Sequence, residues 1–380
     1  MSKRERSRDI IKHGYMKNFL ELIVVISLAA YYLYLLSLGQ LFSIWILGLL
    51  LGFWLILRPA WVIIPGVRNL SKKLGMTKYS ADTIISFLVL LAEVSIVIFL
   101  AYFSNMYSSV EFVTISYLYL LYAASLNILI LGLLVAIKGG KFLSIPDEVF
   151  SRELEIIDWT VMATLLISFL GFIKYLKSGG YIASDIIMYL PRFSLVILPM
   201  TYISYLKHLR EIKKDFGTFS TIEPEISVVK HIIMIFLANV GFIIGGLLLA
   251  YSSVSLITYY SNIYAFGDVT LVISFFLGLI IGLREVIISQ LLFAKRGQPI
   301  GDIGSLIGSV IQLVMVLIGI LGILLPIPLS KYIIYELITV GLGLWFLRMA
   351  ISDDKKLDPY EGIMLFLLQA FALLLSLEGF

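Results

Sequence analysis

Residues 279–290 have the sequence LIIGLREVIISQ, in which Arg284 and Glu285 interrupt an otherwise apolar run. Residues 88–99, LVLLAEVSIVIF, place Glu93 in a similar setting. Each run belongs to a longer stretch of the roughly 20 mostly apolar residues that a helix needs to cross a bilayer. A carboxylate near the bilayer centre costs at least a few kcal/mol and is tolerated where it faces a cavity, a cation or a counter-charge. The two stretches therefore predict membrane helices whose charged residues have a function.

The composition of the whole chain supports a membrane setting. Of the 380 residues, 60% are hydrophobic and 14% are charged. In soluble domains about a quarter of all residues are charged. The chain has no cysteine, which excludes thiol catalysis, disulfides and cysteine-ligated metals. Its three histidines are scattered along the chain, so we expect no histidine-rich metal site and no resident cofactor.

Apolar runs of sufficient length recur along the chain and predict an all-α polytopic membrane protein with about 11 spans. The predicted spans are 18–38, 41–65, 80–104, 112–137, 157–176, 185–206, 228–251, 267–293, 303–327, 330–350 and 359–378.

The distribution of lysine and arginine predicts the orientation. With the N-terminus inside, 23 of these residues fall in cytoplasmic segments and 3 fall outside. Cytoplasmic loops are enriched in positive residues, so we expect a multi-pass protein of the cell membrane with a cytoplasmic N-terminus and an external C-terminus. The positive charge follows topology, so we expect no nucleic-acid binding. Residues 1–17, MSKRERSRDIIKHGYMK, are predicted to be a retained cytoplasmic tail rather than a signal peptide.

A polar segment near the middle of the chain, KHLREIKKDFGTFSTIEPEIS at 207–227, divides the spans into two groups. Apart from the first span, five lie on either side. Because five is odd, equivalent helices cross the membrane in opposite directions, which is the inverted-repeat construction of many secondary transporters. The predicted units are a tail with an extra transmembrane helix at 1–39, a first five-helix repeat at 40–207, a cytoplasmic linker at 208–226 and a second repeat at 227–380.

The two halves contain similar residues at comparable depths. Glu93 and Glu285 are each followed by valine, and the next span in each half has a small-Ser-aliphatic triplet around Ser125 or Ser309. Oxygen-bearing side chains on neighbouring faces are suitable ligands for a hard cation or carriers of a proton. The candidate cation- or proton-binding residues are Glu93, Glu285, Ser125, Ser309, Asn127, Gln312 and Ser289, with Glu93 and Glu285 as the metal ligands.

Two further charged residues are predicted to modulate this site. Helical spacing places Asp82 on the same face as Glu93, although a capping role near the cytoplasmic helix end is equally compatible with its position. Arg284 precedes Glu285 directly, and its guanidinium stays charged. A structural alternative is that the glutamates form ion pairs with Arg284 and Arg58.

These stretches resemble the cation/calcium exchanger superfamily over about residues 41–350. Residues 294–320, AKRGQPIGDIGSLIGSVIQLVMVLIGI, are similar to a loop and Gly-x-x-x-Gly-Ser run of that family. Residues 72–83, KKLGMTKYSADT, look like the entry into its first α-repeat helix, and residues 151–172 are similar to the helix after that repeat. The resemblance implies that Glu93 and Glu285 ligate the cation and that Ser125 and Ser309 flank the site.

The sequence departs from the family pattern at several positions. The family's Gly-Thr-Ser is absent in both halves, where residues 88–90 are Leu-Val-Leu and residues 280–282 are Ile-Ile-Gly. The family's proline before the glutamate is Ala92 in one half and Arg284 in the other. The lost Thr and Ser supply sodium ligands in that family, so the departures argue against sodium coupling more than against proton coupling.

We therefore expect a cation antiporter whose partners are the lipid bilayer and an inorganic cation, with Ca²⁺, Na⁺ or H⁺ as transported ions. The alternative is a non-transporting membrane scaffold or subunit that retains the exchanger fold and in which Arg284 neutralises the site. We do not expect an enzyme, because no span carries a Ser/His pair, a His-Glu metal motif or an aspartate dyad.

Overall fold

The computed structural model describes residues 21, 23–38, 41–73, 78–107, 109–138, 143–144, 147–177, 189–190, 195–212, 228–260, 266–293 and 306–378. Within these ranges, the side chains of residues 72–73, 78–87, 151–153 and 285–293 are among those not described.

The described chain is almost entirely helical. The helices are α1 Ile23–Leu38, α2 Leu41–Lys73, α3 Lys78–Tyr107, α4 Val110–Lys138, α5 Asp147–Lys177, α6 Ile197–Ile212, α7 Val228–Tyr260, α8 Phe266–Phe293, α9 Leu306–Leu324, α10 Lys331–Asp354 and α11 Pro359–Leu377. Four two-residue strands lie between helices: β1 Leu143–Ser144, β2 Tyr189–Leu190, β3 Ile327–Pro328 and β4 Lys356–Leu357.

Each predicted span overlaps one of these helices, and eight helices of the described chain are long and apolar enough to cross a membrane. The chain is therefore a multi-pass α-helical membrane protein, while the count of 11 spans stays a prediction. The predicted span 185–206 is wrong in its position. Within the described residues, β2 lies in its first part and α6 begins only at Ile197. Pro191 has no backbone N–H, so a helix interior is unfavourable there.

Local sequence signals account for the start of the last two helices. Ser330 caps α10, since its side chain accepts a hydrogen bond from the backbone N–H of Ile333. Asp358 and Glu361 form a reciprocal capping box at the start of α11, with Pro359 in the first turn. Such caps satisfy backbone N–H groups that have no partner within the helix. The turn between α10 and α11 is thereby fixed.

The contacts between helices repeat in the two halves when α2–α6 are compared with α7–α11. Helix α2 lies along α7 and α5 lies along α10, whereas α4 contacts α8 and α11, and α9 contacts α3 and α6. The strands follow the same rule, because β1 pairs with β4 and β2 pairs with β3, both antiparallel. Exchanging the halves converts one strand pair into the other. These equivalences support the predicted duplication, while the opposite orientation of the halves in the membrane stays a prediction.

Glycines allow the closest helix contacts in this bundle. A Cβ atom on Gly132 of α4 would lie 2.7 Å from the backbone nitrogen of Phe366 and 2.8 Å from the carbonyl oxygen of Gly362, both in α11. A Cβ atom on Gly245 of α7 would lie 3.1 Å from the Gly52 carbonyl oxygen of α2. Small residues permit this backbone approach, which supplies much of the packing between helices in a membrane.

Among the eight described helices that are long and apolar enough to cross a membrane, α4 and α9 are the most buried. Helix α4 contributes three fully buried tyrosines, Tyr117, Tyr119 and Tyr122. It therefore separates the polar groups on its two sides, and this decides which residues can meet.

The extra helix α1 packs on α2 outside this core. Glu21, which precedes α1, accepts a hydrogen bond from the Trp54 indole at 3.0 Å and pairs with Arg58 at 3.1 Å. Arg58 therefore pairs with a residue of the extra N-terminal segment, and its predicted ion pair with a glutamate of the central site stays a prediction.

Candidate cation-binding site

Glu93 lies at the middle of α3, between apolar neighbours of its own helix such as Ala92 and Ile96. Its side chain is 2% exposed. A carboxylate at this position has no water to stabilise its charge, so the protein must supply compensation.

Arg284 of α8 supplies that compensation. Its Nη2 donates to Glu93 Oε1, and its Nη1 donates to the carbonyl oxygen of Val89 at 3.2 Å, one turn before Glu93. The arginine side chain is 1% exposed. The Tyr119 hydroxyl of α4 donates to the Glu93 carbonyl oxygen at 3.3 Å. Helices α3, α4 and α8 therefore meet at one buried ion pair.

The approach of α8 to α4 depends on two glycines one turn apart. A Cβ atom on Gly278 would lie 2.7 Å from Tyr122 Cβ and 3.0 Å from the backbone nitrogen of Ala123. A Cβ atom on Gly282 would lie 3.3 Å from Leu126 Cβ. This glycine face allows α8 to lie against α4, and Arg284 follows half a turn later, where it reaches α3.

Asn127 and Ser309 link α4 to α9 beside this glycine face. Asn127 Nδ2 donates to Ser309 Oγ at 3.1 Å, and Asn127 is fully buried. Its Oδ1 accepts no hydrogen bond from the described residues. An ideal Cβ on Gly282 would lie 3.6 Å from that oxygen. This buried oxygen can therefore accept a bond from a ligand.

Gln312 marks a change of geometry in α9. It begins a π-helical segment, Gln312–Ile318, and its Nε2 donates to the Tyr202 hydroxyl of α6 at 3.1 Å. A π-helical turn is wider than an α-helical turn and often occurs at functional sites. Gln312 therefore connects the predicted site helix α9 to α6.

Ser125 lies on another side of α4 from Asn127. The two residues are two positions apart, which is about 200° around a helix. Ser125 Oγ donates to Glu336 Oε2 of α10 at 3.0 Å. The structure therefore brings Asn127 together with Ser309 and Ser125 together with Glu336.

Three predicted site residues, Glu285, Ser289 and Asp82, have side chains outside the described residues. Their helices are described, and Glu285 follows Arg284 directly in α8. The meeting of Glu93 with Glu285 therefore stays a prediction.

Glu336 is a buried carboxylate that we did not single out from the sequence. It lies within the predicted span 330–350, and Thr339 and Gly343 follow on the same helix face. A lone glutamate with small or polar residues at this spacing was the available signal.

No family model matches the sequence, and no curated protein matches it either. The fold is similar to solved structures of ion exchangers. One is the H⁺/Ca²⁺ exchanger CAX, with a TM-score of 0.68 and 15% identity over 95% of this chain and 92% of that chain.

Another is the sodium-calcium exchanger NCX_Mj soaked with 10 mM Na⁺ and zero Ca²⁺. It has a TM-score of 0.56 and 16% identity over 88% of this chain and 99% of that chain. The same exchanger soaked with 2.5 mM Na⁺ and 0.1 mM Ca²⁺ has a TM-score of 0.56 and 17% identity, over 87% and 98% of the two chains.

Proposed function

We propose that this chain, which has a cation/calcium exchanger-like fold, is a secondary active transporter that exchanges cations across the cell membrane. Glu93 would bind the cation or proton at the midplane between the two halves. The observation that carries this proposal is a fully buried carboxylate at the middle of a membrane helix, at the junction of α3, α4 and α8. The predicted orientation, with the N-terminus in the cytoplasm and the C-terminus outside, is part of the proposal.

The repeated contacts of the two halves support alternating access. Two similar five-helix units can move against each other around a site at their interface, which exposes it to each side in turn. Residues of both halves contact Glu93, since Tyr119 belongs to the first half and Arg284 to the second. Glu285 would add a second carboxylate, and Asn127 Oδ1 would add a neutral oxygen ligand.

Arg284 then acts as an internal competitor for Glu93. Its guanidinium occupies the carboxylate that a transported cation would use, so binding requires the ion pair to open. Protonation of Glu93 would open the pair as well, because a neutral carboxyl no longer attracts the guanidinium. Arg284 lies on α8 and Glu93 lies on α3, so opening of the ion pair separates groups of these two helices. Ion binding that requires this opening would therefore be coupled to a movement of α8 relative to α3.

Transport in proteoliposomes tests this function. We expect Ca²⁺ uptake driven by an opposing gradient of H⁺ or Na⁺, and we expect the Glu93→Gln variant to lose it. Arg348→Gln serves as the control, because Arg348 pairs with Asp158 at the exposed surface of α10 and α5. Equal flux in the Glu93→Gln variant and the unmodified protein would reject Glu93 as the transport residue.

One observation favours a second candidate function, a membrane scaffold or subunit that does not transport. The ion pair between Arg284 and Glu93 already neutralises the carboxylate. If this reading is correct, Ca²⁺ or Na⁺ leaves the thermal unfolding temperature unchanged, whereas a ligand at 100 times its dissociation constant stabilises a protein by about 2.7 kcal/mol. The Arg284→Gln variant would then gain cation-dependent stabilisation, because its carboxylate has lost the resident guanidinium.

A further inference from the structure

A second buried polar cluster lies between α4, α10 and α11, away from the ion pair of Glu93. Its centre is Glu336, which is fully buried. Ser125 Oγ of α4 donates to Glu336 Oε2 at 3.0 Å, and Thr339 Oγ1 approaches the same oxygen at 3.3 Å. Ser376 of α11 also interacts with the carboxyl group. Three helices thus enclose one carboxyl group.

The groups around Glu336 differ in charge from those around Glu93. Its contacts in the described chain are hydroxyl groups, and none of them comes from lysine, arginine or histidine. Glu336 Oε1 makes no hydrogen bond with the described residues. An ionised carboxylate in such surroundings is costly, and addition of one proton removes the charge.

The polar network continues from Ser376 to Tyr122, and from Thr339 to Gln369. The Tyr122 hydroxyl and Ser376 Oγ are 2.7 Å apart. Gln369 Nε2 donates to the Thr339 carbonyl oxygen at 3.0 Å, while Gln369 Oε1 is buried and accepts no hydrogen bond from the described residues. The cluster is therefore linked to further buried polar side chains of α4 and α11.

Other titratable side chains lie around the cluster. Tyr122 of α4 and Tyr335 of α10 interact with Glu336 electrostatically. Tyr332 also lies on α10, near Tyr122. The described charged side chains at the same end of the packed helices are Glu111 of α4, Lys174 of α5, Lys331 of α10 and Glu378, which directly follows α11, and none of them is buried.

The position of Glu336 along α10 gives it a route to one side of the membrane. It is the sixth residue of the helix, so it lies about 8 Å along the axis from Lys331. Ser376 is near the C-terminal end of α11, and α11 runs antiparallel to α10. Both residues therefore lie towards the same membrane face, which is the external face in the predicted orientation.

We propose that Glu336 is a proton-binding site that exchanges its proton with the face of the membrane where α10 begins. In the unloading step, the bond between the Glu336 oxygen and hydrogen breaks, and the proton passes to a water molecule at that face. Loading is the reverse. The hydroxyl groups of Ser125 and Thr339 can rotate to donate to an ionised carboxylate or to accept from a protonated carboxyl group, so the same contacts serve both states. The use of this proton in antiport rests on the proposed function, but the binding of the proton does not.

Infrared difference spectroscopy of the full chain in lipid nanodiscs, titrated with pH, tests the site directly. We expect a carboxylic-acid carbonyl band that grows as the pH falls. Every carboxyl group that takes up a proton adds to this band, Glu93 included. The band should therefore be smaller in Glu336→Gln than in the unmodified protein, and Glu336→Gln should remove the same contribution in a Glu93→Gln background, which lacks the other described buried glutamate. A band of equal size in Glu336→Gln would overturn the proposal, and so would loss of the band in the unmodified protein on addition of Na⁺ at constant pH.

A milder variant keeps the test valid if Glu336→Gln does not fold. Ser125→Ala keeps the carboxyl group and removes one hydrogen bond to it, so the midpoint of the band should move by about one pH unit. The matched control is Thr160→Ala on α5, since Thr160 is also fully buried and its hydroxyl donates to the carbonyl oxygen of Ile156 in its own helix. An unchanged midpoint in Ser125→Ala, with the band present, would contradict the site.

Transport measurements separate this inference from the proposed function. If the unmodified protein carries no ion while Glu336 still titrates, the proposed function fails and the proton site stands. If the protein transports and Glu336→Gln keeps the same dependence of flux on the proton gradient, the coupling role of Glu336 is rejected and the transport function stands.

Discussion

Arg284 and Glu93 form an ion pair that is removed from water on all sides in the described bundle. Two effects oppose each other at such a pair. Moving both charges out of water is unfavourable, whereas their mutual attraction is strong in a medium of low polarity. Removal of one partner keeps the first cost and loses the attraction, so each charge depends on the other.

We expect Glu93→Gln and Arg284→Met each to lower the free energy of unfolding by about 3–5 kcal/mol. The double variant should lose much less than the sum, because both buried charges disappear together. A double-mutant cycle measured by denaturant unfolding in detergent gives the coupling energy.

Asp158→Asn is the matched control. It breaks an ion pair whose side chains are 36% and 50% exposed, so its loss should not exceed about 1 kcal/mol. Additive losses at Glu93 and Arg284 would contradict a direct pair.

At the scale of single elements, backbone contacts at glycines and caps at helix ends determine how the helices pack. Gly132 and Gly362 bring α4 and α11 together near the cytoplasmic end predicted for both helices. Asp358 and Glu361 fix the first turn of α11 at that same end. The position of α11 against α4 therefore depends on residues that have no part in ion binding.

Gly132→Ala should destabilise the bundle by about 1–3 kcal/mol, because its new methyl group would meet backbone atoms of α11 that cannot rotate away. Gly308→Ala in α9 is the control, since no atom lies within 4 Å of a Cβ there. We expect that change to be neutral or slightly stabilising. Thermal unfolding of the two variants side by side distinguishes them, and equal losses would argue against the close contact of α4 and α11.

Asp358→Ala should lower stability by about 1 kcal/mol, because the Glu361 backbone N–H would lose the acceptor that it now reaches at 2.7 Å. Denaturant titration measures the change. Asp353→Ala, an exposed change in the last turn of α10, should leave the midpoint almost unaltered. A larger effect at Asp353 than at Asp358 would show that the cap does not stabilise α11.

For the whole molecule, the duplicated architecture and the charge distribution make one joint prediction. If the two halves have opposite orientations, α10 begins outside the cell and ends in the cytoplasm. A parallel repeat would reverse these two positions. The chain contains no cysteine, so single-cysteine labelling requires no prior removal of native thiols.

Lys331→Cys should react with a membrane-impermeant maleimide applied to intact cells, because α10 is predicted to begin outside. Lys355→Cys should react only after the membrane is permeabilised, because the turn between α10 and α11 is predicted to be cytoplasmic. Both residues are exposed, so accessibility within the protein does not differ between them. The reverse pattern would overturn the predicted orientation, and with it the external access proposed for Glu336.

The amino-acid sequence by itself determined that this is a polytopic helical membrane protein, and it determined the approximate place of most helices. The physical reason is that membrane insertion depends on local hydropathy, which a run of about 20 residues contains in full. The charges of Arg284 and Glu93 were also visible, because any ionised group in an apolar run stands out. The sequence prediction was wrong at the span 185–206, where the apolar run contains Pro191 and a short strand precedes α6.

Only the tertiary structure decided which polar side chains meet. An almost uniformly apolar run does not specify which face of a helix points towards which neighbour. The contacts at Gly278 and Gly282 determine the face that α8 presents to α4. That packing directs Arg284 to Glu93 rather than leaving both to lipid. It also leaves the far side of α4 to Ser125 and Glu336, a pair 211 residues apart that no local pattern could join.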